Sequence, residues 1–296
     1  RWSLFRCLQP GLRGSQERFA QRFGNPIERG DKGAKKALKA LIQPFILRRT
    51  KTQVLDELPP RTEITRKVPL SADELHLYEA MRQQAVAKLD ELKGADGKQM
   101  QVLAEITKLR RFCCHPQLVL KDSTIAGSKL AAFADIADEL LENGHKALVF
   151  SQFVDHLSLV RQHLDARGVA YQYLDGTTPA RARKERVDAF QRGEGDIFLI
   201  SLKAGGVGLN LTAADYVIHL DPWWHPAVED QASDRAYRMG QQRPVTIYRL
   251  VAEHTIEEQI VALHAAKRDL ADSLLEGGDV SARLDSEALL ALLRGA

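Results

Sequence analysis

Between residues 128 and 252, short apolar runs alternate with amphipathic stretches, and few folds accommodate that order. Strands are read at Ala147–Ser151, Tyr171–Leu174, Ile197–Ser201, Tyr216–Leu220 and Val245–Val251. Helices are read near Lys129–Asn143, Asp155–Arg167 and Pro179–Gln191, and one more starts at Pro226. Such alternation predicts an α/β fold, a mainly parallel sheet with helices on both faces. A last amphipathic helix, about Ile256 to Leu275, sets Ile256, Ile260, Leu263 and Leu270 near one face and is expected to pack back on the domain.

The chain before Ser128 reads differently, as a mostly helical region. Residues 1–50 form short helices with Gly and Pro breaks, Leu55–Pro60 is a turn, and Thr62–Leu70 alternates as a short strand. Ser71 and Glu74 fit a capping box for a helix with Leu75, Tyr78 and Met81 on one face. A second helix, about Met100 to Cys114, is broken by Pro116. Residues 1–70 hold 16 Lys and Arg against 6 Asp and Glu, whereas the remainder holds 26 against 33. A basic front end favours an acidic partner. Three cysteines, two of them adjacent, give no disulfide framework and predict a reducing compartment. Cys113-Cys114-His115 is read as core packing rather than a zinc site, because adjacent cysteines rarely share one ion. No run is long and apolar enough to cross a membrane, and there is no secretory signal.

In an open parallel sheet, ligands bind beyond the carboxyl ends of the strands. Polar residues collect there in this chain: Ser151-Gln152, Asp175-Gly176-Thr177-Thr178, Ser201 to Asn210, and Asp221-Pro222-Trp223-Trp224. Thr178 and Pro179 read as an N-cap and first helical residue, either capping alone or seating a phosphate. Gly206 and Gly208 let backbone approach a ligand closely, or else make a tight turn. The helix from Pro226 is expected to run to Gly240. Gln231, Arg235 and Arg238 then form one stripe, and Val228, Ala232, Ala236 and Met239 an apolar stripe beside it. The phosphate-cradling sequence GxxxxGK[ST] occurs nowhere, and a dinucleotide fingerprint is weak because Leu211 stands where Gly or Ala is needed. Paired arginines without a cradle make sense if they serve a nucleotide held by another lobe.

These residues resemble one family, the Swi/Snf-type helicase-like ATPases of superfamily two. Gln231-Ala232-x-x-Arg235-x-x-Arg238-x-Gly240-Gln241 resembles its motif VI, and Lys203 to Leu211 with Asp221-Pro222-Trp223-Trp224 its motif V and following segment. Lys146–Gln152 is similar to motif IV, Asp175–Thr178 to the next, and Phe45-Ile46-Leu47-Arg48-Arg49-x-Lys51 to the box before the second lobe. The family pattern has Asn where this chain has His225.

The resemblance implies a division into a first-lobe tail with helical insertion (1–70), a helical protrusion (71–127), a second RecA-like lobe (128–252) and bracing helices (253–296). It implies Arg235 and Arg238 as arginine fingers, Gln231, Gly206 and Gly208 on the nucleotide side, and Thr177, Thr178, Lys203 and Trp223 toward DNA. Trp223 reads equally well as core packing. The implied cofactor is ATP with Mg2+, held mainly by a first RecA-like lobe. The implied partners are that lobe, double-stranded DNA and a nucleoprotein, in the cytoplasm or at a bacterial nucleoid. Motifs I, Ia, II and III are not found, so these residues alone are not expected to hydrolyse ATP. Alternatives within reach of the same residues are the second lobe of a strand-separating helicase and a non-catalytic nucleic-acid-binding module.

Overall fold

The structure is a computed structural model and describes residues 15–28, 31–42, 58–91, 98–202, 204, 209–263 and 286–295. The chain divides into two compact units, residues 1–56 with 266–283, and residues 57–265 with 284–296. In the first, Gln16–Phe19 and Asn25–Glu28 are helical and joined through one wide turn at Ala20–Gly24, with Phe19 and Phe23 rings 5.7 Å apart. A further helix, Lys32–Ile42, starts where Asp31 accepts the Gly33 and Ala34 amides at 2.7 and 3.1 Å. The Phe45–Lys51 box lies outside the described residues.

The second unit opens with strand β1 (Arg61–Val68), then helices α1 (Ala72–Glu91) and α2 (Lys98–Cys114). The capping box forms as read: Ser71 N–H donates to Glu74 at 2.9 Å and Glu74 N–H to Ser71 Oγ at 3.3 Å. The apolar face of α1 needs correction, because Leu75 is exposed while Glu74, Tyr78, Ala85 and Leu89 are buried. Glu74 is drawn inward because its carboxylate also accepts the Ser128 amide at 3.0 Å and the Ser128 hydroxyl. Pro116 ends α2 into a single 3-10 turn, residues 116–118.

Helices and strands then alternate as α3 (Ser128–Glu142), β2 (Ala147–Ser151), α4 (Val154–Ala166), β3 (Tyr171–Leu174), α5 (Ala180–Gln191), β4 (Ile197–Ser201), β5 (Tyr216–His219), α6 (Pro226–Ser233) and β6 (Val245–Ala252). Helix α7 spans 256–263 and α8 Ser286–Arg294. The reading of a helix on to Leu275 passes outside the described residues after 263.

The sheet is parallel throughout, in the order β1-β6-β5-β2-β4-β3. Strand alternation sends Leu148, Phe150, Phe198, Ile200 and Val217 to one face, where Phe190 of α5 and Ala232 of α6 pack on them. Val149, Leu199, Ile218 and Leu220 meet Phe133 and Ile136 of α3 and Leu157 and Val160 of α4 on the other. Both faces are therefore covered, as a buried parallel sheet requires. β1, within the expected 1–70 segment, is the outer strand of this same sheet, in register with β6 from Arg61↔Val245 to Val68↔Ala252. A third core joins α1, α2, α7 and α8 through Tyr78, Leu89, Ile106, Phe112, Ile256 and Leu293. Tyr78 Oη accepts the Ile256 amide at 2.7 Å, so α7 packs back on the unit as expected. Among the described residues no helix is long and apolar enough to cross a membrane.

Candidate functional site

The chain crosses the sheet between β4 and β5, which lie on opposite sides of β2. That crossing opens the crevice where ligands bind in such sheets. Ser151 and Asp221 close its floor: the hydroxyl donates to Asp221, whose other oxygen accepts the Gln152 amide at 3.3 Å. The Leu202 amide donates to Ser151 C=O at 2.9 Å and so fixes where the chain leaves β4. Lys203, Gly206 and Gly208 lie outside the described residues; on either side of them Leu202, Ala204 and Leu211 are buried.

The arginine segment departs from the expected helix. Pro226 is the first helical residue, after His225 in an extended conformation that makes no side-chain capping bond. Only Pro226–Ser233 is α-helical, and residues 234–240 continue as turns. The Arg235 and Ala236 amides bond back three residues, to Ala232 and Ser233. Tyr237 N–H still bonds back four residues to Ser233 C=O at 3.2 Å, but the next carbonyls take tertiary donors. Leu211 N–H donates to Arg235 C=O at 3.0 Å, and the buried Gln241 amide donates to Ala236, Ala214 and Thr212 carbonyls at 3.0, 2.8 and 3.2 Å. Gly240 does adopt a left-handed conformation, φ 95°, but seven residues beyond the helix end.

The two expected stripes are corrected accordingly. Ala232 and Ala236 are buried, Met239 is 74% exposed, Gln231 is exposed and Arg235 is 6% exposed. The change of backbone at Ser233 turns Arg235 under the segment, where its guanidinium lies 5.5 Å from the Phe150 ring centroid. Burial first, then the charges of Arg238 and Arg183, push the Arg235 pKa down to about 10. It remains protonated at neutral pH, and an anion beside it would relieve both penalties. Arg238 is half-buried, and its Nε donates to Asp234 C=O at 3.1 Å. Arg183, which sequence reasoning missed, reaches from α5 to donate to Ala204 C=O at 2.7 Å, at the edge of the glycine segment. Its only signal was position, one turn into the helix that follows the Asp175–Thr178 turn.

A buried ion pair anchors this edge. Glu229 of α6 accepts Arg249 Nε of β6 at 2.7 Å and the Trp223 amide at 2.7 Å. Its place near the positive helix end is visible in the sequence; these two partners are not. Trp223 is half-buried against the sheet core, while Trp224 belongs to the helical core beneath the Arg110 guanidinium, 5.4 Å from its ring centroid.

At the turn after β3, Thr178 is not the N-cap; Pro179 takes that position with no side-chain cap. The reason is Asp175, which accepts the Thr177 amide and hydroxyl at 2.9 and 2.7 Å and the Thr178 hydroxyl at 3.2 Å. Partial burial opposes this carboxylate's charge, but the bonds from Thr177, Tyr173 and Thr178 hold its pKa near 2. Thr178 is buried and Thr177 exposed, so only Thr177 presents its side chain outward.

These donors fit the phosphate end of a nucleotide better than a magnesium ion. The Arg238 and Arg183 guanidiniums come close enough to disfavour the charge on Arg235. The nearby carboxylates are not offered to solvent as ligands: Asp221 is 1% exposed and Asp175 is wrapped by hydroxyls. His115, beside the two buried cysteines, accepts the Gln117 amide through Nδ1 and caps the 3-10 turn.

Residues 1–118 match the family described as SNF2-related domain, and residues 129–240 the helicase conserved C-terminal domain. The chain is 37% identical over 298 residues to "Uncharacterized ATP-dependent helicase MG018" of Mycoplasma genitalium, covering 98% of this chain and 28% of that protein. It is 34% identical over 310 residues to "SWI/SNF-related matrix-associated actin-dependent regulator of chromatin subfamily A member 1" of Mus musculus, covering 99% and 29%. It thus spans about three-tenths of the length of these relatives. The solved structure "Sulfolobus solfataricus SWI2/SNF2 ATPase core in complex with dsDNA" superposes with TM-score 0.64 at 31% identity, covering all of this chain and 61% of that one. With a parallel RecA-like sheet and an arginine segment at its ligand edge, the chain belongs to the Swi/Snf-type helicase-like family, of which it carries the C-terminal helicase lobe.

Proposed function

We propose that this chain supplies the second-lobe half of an ATP-dependent double-stranded DNA translocase or remodeller acting on a nucleoprotein in the cytoplasm or nucleoid. The reading rests on one observation above all: a buried Arg235 crowded by Arg238 and Arg183 at the carboxyl edge of a parallel sheet. Like charges are gathered at this cost where an anion is to be met.

In this reading a first RecA-like lobe holds ATP with its Mg2+, and residues 128–252 close over it. Arg238 and Arg235 serve as arginine fingers that neutralise charge developing on the transferred phosphoryl group. Gln231 supports the nucleotide side, and Gly206 and Gly208 shape the segment between nucleotide and DNA. Lys203, Thr177 and Trp223 face the DNA backbone, and Thr178 shapes the Asp175 turn rather than touching phosphate. Residues 1–60 serve as first-lobe tail, β1 as the outer strand of the second-lobe sheet, 71–127 as protrusion and 253–296 as a brace. Residues without a phosphate cradle are expected to show only background ATP hydrolysis.

The test is Arg238→Ala in the full-length parent. DNA-stimulated turnover should fall by about 10³-fold or more, and wild-type stimulation should be alike for two unrelated duplexes, as backbone contact implies. Near-normal turnover in the variant would refute the finger role; stimulation confined to one base sequence would refute backbone contact.

A further inference from the structure

We propose that Cys114, His156 and Asp221 hold one divalent transition-metal ion of the zinc class inside the second lobe, beneath the edge that carries the arginines. One thiol, one imidazole and one carboxylate here have ligand atoms that all lie within 4.8 Å of one another. They come from three separate elements: Cys114 ends α2, His156 is in the first turn of α4, and Asp221 follows β5. Cys114 and His156 are 0% exposed and Asp221 1%.

A second, independent observation comes from the imidazole. Among the described residues neither Nδ1 nor Nε2 of His156 has a hydrogen-bond partner, although the ring is wholly enclosed. Polar groups in protein interiors are almost always paired, and an orphan of this kind calls for an ion, a water or a functional reason. A metal ion would engage one nitrogen directly. Asp221 could join it, since the Ser151 hydroxyl and Gln152 amide each use one direction of its two oxygens and leave further lone pairs.

The surrounding charge permits a cation. Lys129 is the one buried ammonium among the described residues, and it is already answered by Glu257 at 2.5 Å and by Leu220 C=O at 2.9 Å. Arg110 is turned to Pro222 C=O at 2.6 Å. The ion takes the place of the Cys114 thiol proton, which leaves to solvent, so no oxidant or reductant is needed. A sulfur, nitrogen and oxygen set suits zinc or cobalt rather than magnesium or calcium. Its place ties α2, α4 and the Asp221–Pro226 segment together, immediately before α6.

The test is zinc content of the chain produced in zinc-supplemented medium and passed through a chelator, with His156→Leu, Cys114→Ser and Cys113→Ser compared. His156→Leu removes an imidazole that has no hydrogen-bond partner among the described residues and should fold. One zinc per chain is expected in the wild type and in Cys113→Ser, with loss in His156→Leu and Cys114→Ser. Chain produced with cobalt(II) should show a thiolate-to-cobalt absorption band that disappears in Cys114→Ser and persists in Cys113→Ser. A wild type without bound zinc overturns the proposal. So does zinc retained equally in His156→Leu, which would mean that surface histidines hold it, or a cobalt band that follows Cys113.

Discussion

His219 and Arg235 sit against the same Phe150 ring, and both titrate where burial, not residue type, dictates. His219 is 0% exposed; its Nε2 meets Ser233 Oγ at 2.9 Å, joining β5 to the end of α6. Burial above all holds its pKa down to about 4. A depressed histidine favours the folded state above its unfolded pKa, and that share is lost as pH falls toward the folded value. The window is therefore about pH 6.5 to 4, and over it His219 should cost about 2–3 kcal/mol. His219→Gln should show a shallower fall in urea stability from pH 7 to 4.5 than wild type; parallel curves would contradict this. The strand Tyr216–His219 was legible as an apolar run, yet nothing in the pattern said that its histidine would be enclosed. That follows from α6 packing over it, a tertiary fact.

Elements were legible where propensity and tertiary partners agree, and misread where partners override. β2, β3 and β4 fall within the bounds expected from their apolar runs because both faces of a parallel sheet are buried. The arginine helix was read about two turns too long. Its Gln-Ala-Ser-Asp-Arg-Ala pattern tolerates a helix, but Gln241 and Leu211, distant in sequence or across a loop, take the hydrogen bonds instead. The stripe of Gln231, Arg235 and Arg238 failed for that reason, while the gathering of Arg235 and Arg238 at the strand edge did not depend on it. Glu74 shows a local motif doing more than its motif says. The capping box is visible in Ser71 and Glu74, but the same carboxylate caps α3, 54 residues away, through the Ser128 amide. Loss of an ordinary cap costs about 1 kcal/mol. Glu74→Ala takes the acceptor from the Ser128 amide and hydroxyl, while the Ser71 amide keeps Ser128 Oγ at 3.1 Å; it should cost about 2–3 kcal/mol, against about 1 for Ser71→Ala. Equal losses for the two variants in urea titrations would show that only α1 depends on Glu74.

At the scale of the molecule, the sheet and the helical core of the second unit are joined through charges that no periodicity reveals. Lys129, at the start of α3, is 0% exposed on its side chain and bonds Glu257 of α7 at 2.7 Å and Leu220 C=O at the end of β5 at 2.9 Å. Glu257 in turn accepts the Ala252 amide at 2.9 Å, where β6 ends. One ion pair thus ties α3, α7 and the ends of two central strands, and in the sequence it reads as an ordinary lysine and an ordinary glutamate on helix surfaces. Bringing two such charges out of water is expensive, so the pair adds little net stability, but removing one partner strands the other. Lys129→Met should therefore destabilise the chain by about 3–5 kcal/mol. Adding Glu257→Gln should recover most of that loss, because the amide oxygen still accepts from Ala252 and no buried carboxylate is left unanswered. Equilibrium urea unfolding of the two variants decides it: a double variant as weak as Lys129→Met alone would mean that the lysine contributes by filling space, not by balancing Glu257.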